Sequence, residues 1–299
     1  MISIIITSYK EPHTVGRAIE AIINQNIKEK YELICASPDE ETAKVVKTYS
    51  KLDSRIKYFK DPGKGKMLAL NLLFKKIKSD IIILTDGDVY LSNNSVSEII
   101  KAFSNKSVGC VAGRPVSIDN KKQLLGYWSH LLTHGAHLAR LKRHKNSQYF
   151  TCSGYLFGFR NGLIKEFPRS VPEDAVIPYI VLKKGYKLSY AQEAKVFVSY
   201  PKNIIDWIKQ KKRINKAYHN IYSMIIEGDK IPKMKSMRNE IIEGTIIALS
   251  YPKNIREFFY TLALFPFRLF VWSQSFFDHY IISKKHTDAW DQIKSTKTW

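Results

Sequence analysis

The chain has 299 residues, of which 44% are hydrophobic and 12% aromatic. That excludes a wholly disordered protein and leaves room for one large domain or two. Lys and Arg number 48 against 27 Asp and Glu, and the net charge of +21 favours anionic partners: nucleotides, phospholipid headgroups, nucleic acid or an acidic polymer. Cys35, Cys110 and Cys152 are widely spaced and form no CxxC pair. No disulfide framework is expected, and a reducing, cytosolic setting fits best. The first residues carry no basic region followed by a long apolar stretch, so a secretory leader is not expected.

Ile2–Ile6 is a β-branched run leading into Thr7-Ser8-Tyr9-Lys10-Glu11-Pro12. Val15, Ile19, Ile22 and Ile23 then follow a helical period, and Pro12 suits a first helical turn. Tyr31–Ala36 predicts a second strand. Pro38-Asp39-Glu40-Glu41 puts acids and a proline at the start of a helix running to about Tyr49. Arg55–Phe59 predicts a third strand and Asp61–Lys66 a loop, with Leu68, Leu72, Leu73 and Ile77 marking the helix behind it.

Ile81–Val89 reads IIILTDGDV. A short apolar run without helical period predicts a strand buried on both faces. Asp86-Gly87-Asp88 therefore sits at its carboxyl end, where open α/β sheets bind ligands. Two carboxylates so close to a core are costly unless a divalent cation such as Mg or Mn neutralises them. The alternative is a solvated Asp-Gly turn. Strand and helix alternate four times, which predicts an α/β fold with a mostly parallel central sheet, flanking helices and right-handed crossovers.

These residues together resemble the nucleotide-binding half of a family 2 glycosyltransferase with the GT-A fold. Three motifs carry the resemblance in order: the Tyr9-Lys10-Glu11 loop, the helix start Gly65-Lys66-Met67-Leu68-Ala69-Leu70-Asn71, and Asp86-Gly87-Asp88. The resemblance implies that Thr7, Tyr9 and Glu11 line the nucleotide pocket and that Lys66 reaches the base or phosphate side. It also implies that Asp86 faces the ribose and that Asp88 holds the metal, Mg or Mn, on the diphosphate. Ser37-Pro38-Asp39 stands where the family has paired aspartates reading the base, and Asp39 is the one carboxylate close enough to substitute. Glu11 and Asp39 also suit helix N-termini as acids favoured by the dipole.

Val108–Ile118 predicts another strand and Lys121–Lys145 a long helix. His130, His134 and His137 share one face of it. They suit a metal site, or an acceptor-groove or membrane-facing stripe. Arg140, Lys142, Arg143, His144 and Lys145 close the helix as a basic cluster, by default a solvated face, though lipid headgroups would also suit it. Thr151–Arg160 is a small-residue turn feeding a strand. Val171-Pro172-Glu173-Asp174-Ala175 opens a helix through Lys183 and matches the family's Glu-Asp motif. The resemblance assigns the general base of inverting transfer to Asp174 and an orienting role to Glu173, whereas out of context both suit a helix start. Lys187–Tyr190 predicts the next strand.

On a helix starting near Asn203, Gln210-Lys211-Lys212-Arg213-Ile214 keeps the Arg of the Gln-x-x-Arg-Trp motif of processive members and lacks the Trp. Arg213 could stabilise a leaving diphosphate, or belong to a plain basic helix. Phe258–Phe277 is apolar and aromatic with one charge, Arg268, and one proline, Pro266. Membrane interface, spanning or re-entrant segment, and soluble packing all remain open for it. Lys284-Lys285 flank it, and His286–Trp299 is a polar tail.

The expected organisation is a GT-A catalytic domain over 1–200, with a nucleotide-binding half (1–90) and an acceptor half (91–200). A membrane-associated region of amphipathic or apolar helices follows over 201–299. The expected activity is metal-dependent inverting transfer of a sugar from a nucleotide-diphosphate donor, UDP by family habit, to a hydroxyl of a saccharide or lipid-linked saccharide. Its setting would be polysaccharide or glycolipid biosynthesis at the cytoplasmic face of the cell membrane. An anionic membrane surface is an expected partner and nucleic acid is not. Two alternatives stand beside it: a polyprenyl-phosphate sugar transferase, whose phosphate acceptor needs no strong base, and a basic polyanion- or membrane-binding protein with decayed catalytic motifs.

Overall fold

In the computed structural model, residues 1–166, 168, 171–224, 234, 237–280 and 294–296 are described. The apolar runs of the first ninety residues form β1 (Ile2–Thr7), β2 (Tyr31–Ser37), β3 (Ile56–Lys60) and β4 (Ile81–Asp86). Between them lie α1 (Val15–Ile23), α2 (Glu40–Leu52) and α3 (Lys66–Phe74). Helix α1 begins later than Pro12 suggests. Residues 12–14 form a turn in which Thr14 and Val15 donate to the Glu11 carbonyl, and Lys10 takes a positive φ of 52° just before it. The Tyr9-Lys10-Glu11 loop is thus a tight backbone reversal at the end of β1.

After β4 come β5 (Tyr90–Leu91), α4 (Ser95–Ala102), β6 (Val108–Ser117), α5 (Leu124–Lys145), β7 (Leu156–Arg160), α6 (Glu173–Lys183) and β8 (Lys187–Val198). Strand β8 runs well past Tyr190, because Ala194, Val196 and Val198 alternate inward and keep pairing with β6 and β5. The sheet order is β3-β2-β1-β4-β7-β6-β8-β5. Strands β1, β2, β3 and β4 pair in parallel, as do β6 and β8, whereas β7 is antiparallel to both neighbours and β5 to β8. The sheet is mostly parallel in its first half and mixed in its second.

Apolar side chains fill both faces. Leu70, Phe74, Phe157 and Val176 pack on one side beneath α3 and α6, and Ile19, Val46 and Ile99 on the other beneath α1, α2 and α4. A third cluster lies off the sheet. Trp128 of α5 meets Trp207 of α7 (Ile204–Met224) and Phe267 of α10 (Ile255–Tyr280), each at 5.2 Å between ring centroids. The Trp128 indole N–H donates to the Tyr260 carbonyl at 2.6 Å. Helix α8 (Met237–Asn239), a π-helical turn at Glu240–Gly244 and α9 (Thr245–Ser250) complete the C-terminal region.

Among the described residues no helix is long and apolar enough to cross a membrane. Arg268, the charge within the Phe258–Phe277 run, turns inward and pairs with Glu240 of the π-helical turn. Its opposite side exposes Ile255, Phe258, Phe259, Leu262, Leu269, Phe270, Phe276 and Phe277. Residues 284–285 and most of 286–299 lie outside the described residues.

The Glu240 carboxyl is pushed up by burial, but Arg268 and the Trp272 indole N–H more than reverse this and hold it below the ordinary glutamate range. The pair therefore stabilises the fold above that range and loses its contribution as the pH falls through the lowered value. Arg268→Met is expected to reduce the unfolding free energy by about 1–3 kcal/mol, the cost of leaving a half-buried carboxylate without its partner. Chemical denaturation checks this, and an unchanged midpoint would show that the pair holds nothing together.

Candidate active site

The register of β1 against β4 sets Thr7 opposite Asp86, the last residues of both strands. The Thr7 hydroxyl donates to Asp86 Oδ1 at 2.9 Å. Gly87 then turns back, its N–H donating to the Thr7 carbonyl at 3.0 Å. A Cβ at position 87 would lie 2.4 Å from Ser8 Oγ and 2.6 Å from Glu11 Oε2, so a glycine is what lets the acidic turn nest against the β1 loop. The Ser8 hydroxyl donates to the buried Glu11 carboxylate at 2.7 Å, and the Glu11 N–H donates to Thr42 Oγ1 at 2.9 Å.

Asp39 is the N-cap of α2. It accepts from the Thr42 N–H at 2.9 Å, the Lys10 N–H at 2.7 Å and the Ser37 hydroxyl at 3.0 Å. Burial raises its pKa, and these donors outweigh burial and hold the carboxyl below its ordinary value. Its carboxylate fixes the strained Lys10 backbone as well as starting a helix.

Lys66 opens α3 behind Gly65, whose φ of 104° suits only glycine. Its ammonium is bracketed by Asp86 Oδ1 and Glu173 Oε1, each at 2.7 Å. Burial alone would lower this lysine's pKa, but the charges of Asp86 and Glu173 more than reverse that and raise it. Lys66 is therefore a permanent cation at ordinary pH, and it bridges the two carboxyl groups.

Asp174 follows Glu173 in the first turn of α6. Its Oδ2 lies 3.3 Å from the Gly154 N–H and 3.4 Å from the Tyr218 hydroxyl, while its backbone carbonyl accepts from the Cys152 N–H at 2.7 Å. The 151–154 segment is held by Arg140 of α5. This buried guanidinium donates to the Thr151 carbonyl at 3.0 Å and the Cys152 carbonyl at 2.9 Å. Arg140 is thus not part of a solvated basic face. A cation five residues from the helix end looks like the rest of the cluster in sequence, and nothing in its spacing signals the carbonyls that meet it.

A cavity of about 1080 Å³ joins these groups. Lys66, Asp86, Glu173, Asp174, Gln210 and Arg213 all line it, with Tyr155, Arg140 and Tyr218. Thr7, Tyr9, Glu11, Asp39 and Asp88 do not; they lie around the β1 and β4 ends beyond it. Asp88 nevertheless acts on the cavity wall, because its charge and that of Asp86 help burial raise the pKa of Tyr155.

The histidine stripe is accounted for by structural contacts. His130 Nε2 is 2.8 Å from the Asp119 carbonyl, His137 Nδ1 is 2.8 Å from the Tyr190 hydroxyl, and the His134 ring lies 5.0 Å from that of Tyr251. Burial, with Arg114 next, lowers His137 to about 4, so it is neutral at ordinary pH. All three cysteines are buried free thiols.

Among the described residues no group of three or more His, Cys, Asp or Glu side chains could hold a metal alone. Asp86 is engaged by Lys66 and Thr7, and Asp88 is the second acid of the turn. One carboxylate fits a Mg or Mn that draws its other oxygens from a diphosphate and water.

The Glycosyl transferase family 2 model matches residues 3–167, more than half of the sequence. The chain belongs to that family. Hyaluronan synthase from Streptococcus pyogenes is 22% identical over 169 residues, which are 52% of this chain and 40% of that protein. The same enzyme of serotype M1 aligns equally. This family 2 chain therefore spans about two-fifths of the length of the curated relatives it matches. A mannosyltransferase from Pyrobaculum calidifontis, in complex with GDP-Man and Mn2+, superposes with a TM-score of 0.62 at 16% identity. The superposition covers 94% of this chain and 81% of that one, and it shows the GT-A fold.

Lys66→Met would leave Asp86 and Glu173 as uncompensated neighbours, at an expected cost of about 3–5 kcal/mol in chemical denaturation. Adding Glu173→Gln should recover part of that loss, because it removes one stranded charge. A double variant no more stable than Lys66→Met would refute the bracketed geometry.

Proposed function

We propose that this chain is a divalent-metal-dependent, inverting glycosyltransferase. It would move a sugar from a nucleotide-diphosphate donor to a hydroxyl of a saccharide or lipid-linked saccharide. The observation that carries this reading is the meeting of Lys66, Asp86, Glu173 and Asp174 around one cavity at the carboxyl end of β4. UDP-sugars are the first donors to test, and the GDP-Man bound by the Pyrobaculum mannosyltransferase makes GDP-sugars the second.

In this reading Thr7, Tyr9, Glu11 and Asp39 line the nucleotide pocket, and Asp86 faces the ribose. Asp88 would hold a divalent cation, which when bound would supply charge neutralisation for the leaving diphosphate. Lys66 adds a fixed positive charge beside it, and Arg213 meets the diphosphate from α7. Asp174 accepts the proton of the acceptor hydroxyl as that oxygen bonds to the anomeric carbon. The bond from that carbon to the diphosphate breaks on the opposite face, and the nucleoside diphosphate leaves. Tyr218 and the Gly154 N–H orient the Asp174 carboxylate, and Glu173 holds Lys66 in place. The exposed apolar side of α10, on a chain of net charge +21, supports residence at the cytoplasmic face of an anionic membrane.

The test is transfer from labelled UDP-, GDP- and dTDP-sugars, with Mn2+, to a polar-lipid extract. Asp174→Asn should lower turnover by about 10²–10⁴-fold, the usual worth of a general base, while nucleotide affinity holds. Full activity in Asp174→Asn would instead favour a phosphate acceptor, as in a polyprenyl-phosphate sugar transferase.

A further inference from the structure

The cavity is much larger than a proton-transfer site needs, and its far walls are of a different character. Beyond the ionic floor its apolar wall is formed by Leu132 and Ala136 of α5, Ile247 of α9, and Leu264 and Phe265 of α10, and the Arg268–Glu240 pair also lines it. Leu132 and Ile247 are half-buried across the α5–α9 contact, so their apolar surface is left for a ligand to cover. A saccharide is bound by hydrogen-bonding groups and stacked rings; aliphatic walls recognise hydrocarbon. Helix α10 also carries the exposed apolar stripe from Ile255 to Phe277, so one helix presents hydrocarbon both inward to the cavity and outward to the surface. At about 1080 Å³ the cavity exceeds the usual range of small-ligand pockets, roughly 300–1,000 Å³, and could hold a chain together with a sugar.

We propose that the C-terminal half of this cavity is a binding site for the hydrocarbon chain of a lipid acceptor. The chain lies between α5, α9 and α10, and the hydroxyl head reaches the Asp174 end. The identity of the head as acceptor rests on the glycosyltransferase reading; the site for the chain does not.

Butyl, hexyl and octyl glucosides, kept below their micelle concentrations, are the probes. Their affinity for the full chain is measured in competition with a diazirine-bearing octyl glucoside whose crosslinks are mapped by mass spectrometry. Affinity should rise by up to about fourfold per added methylene, equivalent to about 0.8 kcal/mol. Crosslinks should fall on Leu132, Ile247 and Leu264. Ile247→Trp, which fills the site, should abolish them at an unchanged melting temperature, with Leu132→Trp as the second variant should the first not fold. Phe259→Ser on the outer stripe should leave them intact. Affinity independent of chain length, or crosslinks confined to Phe258, Phe259 and Leu262, would overturn the proposal. Nucleotide binding measured on the same samples separates the two readings. Cavity labelling in a protein that binds no nucleotide keeps the chain site and removes the enzyme.

Discussion

Three largely enclosed charged groups hold this site together. Lys66 arrives from the start of α3, Asp86 from the end of β4 and Glu173 from the start of α6, and the ammonium lies 2.7 Å from each carboxylate. Burial alone would lower the Lys66 pKa, and the two carboxylates more than reverse it. The pairing therefore fixes where two helices begin relative to the sheet. Asp174, next in sequence to Glu173, inherits its position from the same contact. Asp86 passes the constraint back through Thr7 to β1 and its acidic loop. That ammonium ties α3 and the end of β4 to α6 in the second half of the chain.

A second constraint acts from the opposite side. Arg140 draws the Thr151 and Cys152 carbonyls toward α5, and that segment in turn presents the Gly154 N–H to Asp174. Asp174 is thus held by its own helix, by the small-residue segment before β7 and by Tyr218 of α7. A carboxylate held from three elements loses little freedom when a substrate arrives, which suits the general-base role proposed for it. The same α5 anchors the C-terminal helices through Trp128, so the floor and roof of the cavity share a helix.

Much of this was legible in the residues. The Tyr9-Lys10-Glu11, Gly65-Lys66 and Asp86-Gly87-Asp88 motifs fall on a loop after β1, the start of α3 and the end of β4, because apolar period and glycine placement are local signals. Less legible was whatever depended on partners distant in sequence. Pro12 satisfies a helix start in sequence, yet the Glu11 carbonyl closes a turn first. The antiparallel insertion of β7 between β4 and β6 has no local signature, since a buried run reads alike in either direction. Arg140 and Arg268 look like surface or membrane-interface cations until the Thr151 and Cys152 carbonyls and the Glu240 carboxylate meet them. The His130, His134 and His137 stripe resembles a ligand set only while Asp119, Tyr190 and Tyr251 are out of view.

The central claim is that the end of β4 is a metal-dependent nucleotide-diphosphate site. Its most direct test is calorimetry of UDP, GDP and dTDP binding to the full chain, with and without Mn2+, repeated on Asp88→Ala. The account predicts tight binding of one nucleotide that needs the cation and is lost in the variant. Absence of binding by every nucleotide in a folded sample, or binding indifferent to both Mn2+ and Asp88, would contradict it.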